Sequence, residues 1–170
     1  DAFTHCLESL LNKSSDSLFY PLSYEGLVIA VRNMKSIGAA NPSLETLEKA
    51  SLLSLYGGIS ISNSRTGLIH TISVAIAKFA NIPHGRLNAQ ILPFALEHNK
   101  SNDINILSNL LSYPFDISFK DDNEALKFLK EWIFNFIDYS DFPVDCLNSE
   151  HKFIVDRVMQ DKGLPKVSYG

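Results

Sequence analysis

The sequence predicts an all-α fold, a helical bundle. Apolar residues recur at i, i+3 and i+4 in one segment after another, the period of a helix with one buried face. No stretch alternates apolar and polar residues for long enough to make a strand, and no internal repeat is present. Proline, glycine and short Ser/Asp clusters fall at the joints between the periodic segments.

Taken in order, Asp1 to Lys13 carries Phe3, Cys6, Leu7, Leu10 and Leu11 at helical spacing. Asn12 to Ser17 is a polar loop. Pro21 suits the first turn of a helix running to about Lys35, with Leu27, Val28, Val31 and Met34 inside. Gly38 to Pro42 breaks the chain, and Ser43 is an N-cap for a helix through Leu44, Leu47, Ala50, Leu53 and Leu55. The small-residue run Gly57 to Asn63 allows close backbone approach and predicts a helix end.

A helix from about Thr66 to Ala80 follows, with Pro83 just past it, and Leu87 to His98 is helical in pattern despite Pro93. Asp103 caps a short helix to Tyr113, and Pro114 to Asp121 is a loop. Asp122 or Asn123 caps an apolar helix through Leu126, Leu129, Ile133, Phe136 and Ile137. Ser149 opens a last helix that ends at Gly163-Leu-Pro165.

The chain has 170 residues, enough for one domain with a sizeable core, and 45% of them are hydrophobic against 20% charged. A formal net charge of −4 without clustered Lys and Arg argues against nucleic acid as a partner. No apolar run reaches the ~18 residues of a membrane span. Two cysteines, Cys6 and Cys146, make no disulfide framework and suit free thiols in a cytoplasmic protein. There is no initiator Met, and Asp1 already lies in a helical pattern, which predicts that an N-terminal portion precedes it. Trp132 and the phenylalanines at 128, 134 and 136 follow helical spacing and are core or a packing face. Apolar surface of that kind suits an absent domain or a second copy of the chain, a homodimer.

The residues that suggest chemistry are Asp1, His5, His70 and His84. Asp1 and His5 are four apart, so they leave one helical face with Cβ atoms about 6 Å apart. His70 sits on an apolar helical run, and His84 follows the proline that stops it. One carboxylate and three imidazoles are a workable set of ligands for a divalent transition metal. From spacing alone the competing reading is stronger, because helical histidines are commonly satisfied core or surface residues. His98 and His151 have no partner at ligand spacing and belong to the surface.

A resemblance changes that balance. Asp1-Ala-Phe-Thr-His-Cys-Leu-Glu8 is similar to the D-A-x-T-H-x-x-E segment of the iron-containing, group III alcohol dehydrogenases. Ser51 to Asn63 resembles that family's small-residue helix ending in Ser-Asn. Gly67-Leu-Ile-His70 and Pro83-His84-Gly85-x-x-Asn88-Ala89-x-x-Leu92-Pro93 resemble its G-x-x-H and P-H-G-x-x-N-A-x-x-L-P segments. The similarity is in order from residue 1 to about 99 and looser to about 165.

The resemblance implies the family's helical C-terminal domain, with Asp1, His5, His70 and His84 as ligands to Fe²⁺ or Zn²⁺. It also implies an N-terminal Rossmann-like domain for NAD or NADP, and a small alcohol, aldehyde or ketone as substrate. That first domain is absent here, and no G-x-G-x-x-G phosphate cradle is present. Residues 1–170 would then be a single metal-binding domain from a longer two-domain protein, inactive by itself. Many family members carry a second histidine four residues after the one matching His70, where this chain has Val74. Val cannot exchange a proton, which leaves water, a cofactor hydroxyl or Ser73 for that route. Arg65, more polar than the family's usual residue, suits a solvated surface. The alternative function is a stand-alone relic that binds or regulates without dehydrogenase activity.

Overall fold

A computed structural model describes residues 1–12, 18–98 and 106–161. Among these residues the secondary structure is helical throughout, without strands. The helices are α1 (Ala2–Leu11), α2 (Tyr20–Ile37), α3 (Leu44–Ser64), α4 (Leu68–Ile76), α5 (His84–His98), α6 (Ile106–Phe115), α7 (Asp122–Phe134), α8 (Val144–Ser149) and α9 (His151–Met159). None is long and apolar enough to cross a membrane.

α1 is the hub. Phe3, Cys6, Leu7, Leu10 and Leu11 are buried, and so are its polar residues Thr4, Glu8 and Ser9. A helix buried on nearly every side must find partners for such polar groups. Ser9 finds one in a small hydroxyl cluster where α1, α2 and α3 meet: Ser23 Oγ lies 3.1 Å from Ser9 Oγ and 2.8 Å from Ser60 Oγ. Small side chains let these helices approach. A Cβ added at Gly26 on α2 would lie 2.5 Å from Cys6 Sγ, and one at Gly57 on α3 would lie 3.1 Å from the Ala2 carbonyl oxygen.

The second layer is α4 and α5, whose Ile69, Ile76, Leu87 and Leu92 join the core that α1 begins. α6 and α7 close it from one side with Leu111 and Leu129, and α9 from another with Ile154. α5 is tied to the turn after α7. Arg86 meets Asp138 and Asp141 at 3.4 Å, and Gln90 Nε2 donates to the Asp138 carbonyl and to Asp141 Oδ1 at 2.8 and 2.7 Å. These contacts fix the helix that begins at His84.

Several boundaries differ from the sequence expectation. α3 does not end in the glycine run; it continues to Ser64, because Gly57 serves the packing against Ala2 and not a break. Of its leucines only Leu53 is buried, while Leu44, Leu47, Leu52 and Leu55 are exposed. Ser43 does cap α3, accepting from Thr46 N at 3.2 Å. Pro114 lies inside the last turn of α6 and not in a loop, and the helix gives way at Asp116, which has φ 56°.

Asp121, one residue earlier than expected, caps α7 by accepting from Asn123 N and Glu124 N. α7 itself stops at Phe134, short of Phe136 and Ile137. The expected last helix is α9, which begins at His151 and not at Ser149, and a short helix that was not expected, α8, precedes it across a break at Glu150. The loop residues 13–17, the Asp103 cap and the Gly163 to Pro165 stop lie outside the described residues. Cys6 is buried, Cys146 is half-buried, and both are free.

Candidate metal centre

Three helix starts converge on one spot. Asp1 stands at the N-terminal cap of α1 and His5 one turn along it. α3 ends at Arg65, held at φ 69° and ψ 163°, a conformation that glycine alone adopts without strain, and the chain turns at once into α4 with His70 in its first turn. Pro83 then starts α5 so that His84 is its first residue, and Asn88 lies one turn along the same face.

The carboxylate of Asp1 is the meeting point. Its Oδ1 lies 3.6 Å from His5 Nε2, 3.4 Å from His70 Nε2 and 3.6 Å from His84 Nε2. Donor atoms of Asp1, His5 and His70 all lie within 4.8 Å of one another. His84 stands outside that tight trio and reaches it through Asp1; its side chain is half exposed where those of His5 and His70 are more covered. The His5 and His70 rings stack with centroids 4.6 Å apart.

The separations from Asp1 suit a metal, and Asp1, His5 and His70 are the three whose ligand atoms lie closest together for one. Ligand atoms about 2.1 Å from a tetrahedral ion lie about 3.4 Å from one another, which is the spacing the Asp1 oxygen keeps with each imidazole nitrogen. Asn88 makes the same point through hydrogen bonds. Its Nδ2 lies 2.8 Å from Asp1 Oδ1, 3.0 Å from His70 Nε2 and 3.1 Å from His84 Nε2. Three acceptors thus crowd an amide that has two hydrogens to give. A cation among them would relieve all three.

Glu8 holds the arrangement from behind. Its buried carboxylate accepts from Gly67 N at 3.0 Å and Ile69 N at 2.8 Å, and it lies 2.6 Å from His70 Nδ1. The two backbone donors open α4, where unpaired N–H groups and the helix dipole favour a negative charge. The hydrogen bond places the proton of His70 on Nδ1 and leaves the Nε2 lone pair aimed at Asp1. Sequence reasoning gave Glu8 no role. The Phe3, Leu7 and Leu10 stripe lies on another side of α1, so the period does not bury position 8 and gave no signal for it.

Burial holds His5 well below its ordinary value of 6.5, to about 4, with neighbouring imidazole charge adding to the effect. His84 is lowered for the same reasons, burial first. Neutral imidazole is the form that binds a metal. The remaining sequence candidates divide. Val74, 52% exposed, faces the same cavity as the three imidazoles. Ser73 is fully buried and its hydroxyl donates to the His70 carbonyl at 3.1 Å, so it is turned away from that cavity. The cavity encloses about 610 Å³, and Thr66, Thr71, Arg157, Gln160 and Asp161 complete its wall.

A sequence model of the Fe-containing alcohol dehydrogenase family, C-terminal, matches residues 1–136, most of the chain. The chain belongs to that family. 1,3-Propanediol dehydrogenase of Klebsiella pneumoniae is 25% identical over 99 residues, 58% of this chain and 26% of that protein. Lactaldehyde reductase of Escherichia coli K12 is 27% identical over 99 residues, covering 58% and 25%. The matched stretch thus spans about a quarter of the curated relatives' length.

Among solved structures, an iron-containing alcohol dehydrogenase from Thermococcus thioreducens superposes with TM-score 0.78 at 18% identity, over 95% of this chain and 43% of that one. A 1,3-propanediol oxidoreductase superposes with TM-score 0.80 at 17% identity, over 96% and 44%. The iron-containing alcohol dehydrogenase fold of the C-terminal domain is therefore present, and the described residues form no Rossmann domain.

Proposed function

We propose that this chain is the metal-binding part of an NAD(P)-dependent alcohol dehydrogenase or aldehyde reductase. Asp1, His5, His70 and His84 would hold Fe²⁺ or Zn²⁺, ions that share these N and O ligands. A dinucleotide-binding domain outside this chain would present NAD or NADP. The observation that carries the reading is the spacing of 3.4–3.6 Å between one carboxylate oxygen and three imidazole nitrogens. Family membership and relatives that act on small alcohols and aldehydes support it.

When bound, such an ion would polarise the oxygen of an alcohol or carbonyl group while hydride moves at the carbon. The protein's own part follows from its contacts. Glu8 fixes the tautomer and ring plane of His70. His5 stays neutral and ready to bind, because burial opposes its charge. Asn88 orients Asp1 by donating to its Oδ1. Neither Val74 nor Ser73 offers a proton to the cavity, since one is apolar and the other is spent on backbone, so the proton route runs through water or the cofactor.

The test is elemental analysis of the purified chain after anaerobic loading, with His70→Ala and His84→Ala alongside. About one Fe or Zn per chain, lost in both variants, is the expected result. Binding that survives both substitutions places the metal elsewhere and sinks the assignment. A relic with a binding role alone is the reading left standing if the metal is held but the polypeptide, joined to its dinucleotide domain, reduces no aldehyde or ketone.

A further inference from the structure

The far wall of the metal-side cavity comes from α9, a helix beyond the residues that the family model matches. Arg157 in the last turn of α9, Gln160 at its C-terminal cap and Asp161 just past it all line the cavity with the imidazoles of His5, His70 and His84. The helix is anchored there. Ile154 is buried in the core, Thr71 Oγ1 of α4 donates to Asp161 Oδ2 at 2.9 Å, and the Phe79 and Phe153 rings meet edge to face at 5.3 Å.

Arg157 is the cation of this wall, and among the described residues its guanidinium has no hydrogen bond or ion pair. Asp161 does not neutralise it within salt-bridge distance, and its carboxylate is engaged by Thr71. A guanidinium offers paired donors in a plane that matches a carboxylate or phosphate. Here it shares one cavity of about 610 Å³ with the metal ligands. A substrate held in that cavity can present a reacting oxygen to the imidazoles and a charged group to the exposed Arg157.

We propose that Arg157 binds an acidic group on the substrate, making short hydroxy- and oxo-carboxylates the preferred class at this centre. The inference rests on the metal-dependent reading above and adds to it the substrate's second functional group. The hydroxyl or carbonyl oxygen goes to the metal end, formed by Asp1 and the three imidazoles, and the carboxylate goes to α9. An uncharged alcohol of the same length gains only the first contact. Val74, small and apolar on the wall of the same cavity, would touch the carbon chain.

The experiment is an NMR titration of the zinc-loaded full chain with 4-hydroxybutanoate and with 1-butanol, in the wild type, Arg157→Gln and Arg157→Lys. Zinc content is assayed in the same samples, and nicotinamide mononucleotide is titrated as a phosphate probe. The wild type is expected to bind 4-hydroxybutanoate at least about tenfold more tightly than 1-butanol, as one charge-assisted contact allows. Arg157→Gln should bring the ratio to about one with zinc unchanged, and Arg157→Lys should keep part of it.

A wild type without preference overturns the proposal. A preference that survives in Arg157→Gln does so too, because the carboxylate then sits on the zinc. If Arg157→Gln weakens the mononucleotide and leaves 4-hydroxybutanoate untouched, the arginine reads cofactor phosphate and the substrate class falls. A chain that takes up no zinc overturns the metal reading itself, and this proposal with it.

Discussion

At the scale of single residues, Glu8 decides the chemistry of the site more than its distance from solvent suggests. Its carboxylate takes two backbone N–H groups of α4 and the Nδ1 proton of His70. Glu8→Gln keeps the shape but turns one acceptor into a donor facing other donors. Metal affinity should fall about 10- to 100-fold, as for other groups that orient a metal-binding histidine. Competition with a chromogenic chelator measures it, and an unchanged affinity would remove Glu8 from the account.

His5 supplies a second residue-scale prediction. Its folded-state value of about 4 lies below the ordinary 6.5, so between these values the unfolded chain binds a proton that the folded chain refuses. Stability is therefore fully present above pH 6.5 and is lost as pH falls toward 4. Urea unfolding of the metal-free chain at pH 7 and pH 5 should show the loss, and His5→Gln should shrink it. The histidines and Asp1 stood out in the sequence as potential ligands by type and order. Glu8 and Asn88 did not, because a second layer of hydrogen bonds is a matter of which atoms face each other across helices, and no sequence spacing between residues 8 and 70 encodes that.

At the scale of elements, the apolar period was enough to find α1, α2, α4, α5 and α7, whose buried faces are long and regular. It failed where glycine and proline serve packing or tolerate a helical end. The run from Gly57 was expected both to allow close backbone approach and to end a helix; its missing side chain does admit Ala2, but α3 runs on to Ser64. Gly26 plays the same part against Cys6 and permits a sharper test. A Cβ at position 26 would lie 2.5 Å from Cys6 Sγ, in a core where Cys6 is fully buried.

Gly26→Ala should destabilise the chain by about 1–3 kcal/mol through overpacking. Cys6→Ala removes the sulfur that the new methyl group meets, so the double variant should recover much of that loss. Denaturant unfolding of the four proteins in the cycle gives the coupling directly. Strictly additive losses would show that Tyr56, 3.3 Å from the same Cβ position, is the true obstacle. The same burial pushes the Cys6 thiol up to about 12, which leaves it a packing atom and not a nucleophile.

At the scale of the whole molecule, the proposed ligands come from three helices that are separate in the chain and only partly joined by apolar contact. α1 belongs to the layer with α2 and α3, whereas α4 and α5 form the next layer and lean on α9. The all-α class was legible from periodicity, but this division into layers was not, because which buried face meets which is decided by close approach at residues such as Gly26 and Gly57. A metal held by Asp1 and His5 on one layer and by His70 and His84 on the other would bind them together. Only the folded chain offers the four groups at that spacing, so loading must raise stability by mass action. At a free-metal concentration a thousand times Kd the gain is about 4 kcal/mol, or about 10 °C in Tm for a chain of this size. Differential scanning with Zn²⁺ and with a chelator should show that shift in the wild type and only a small remnant in His70→Ala. If the chelator changes Tm equally in both, the stabilising ion sits away from His70 and the two layers are held by packing alone.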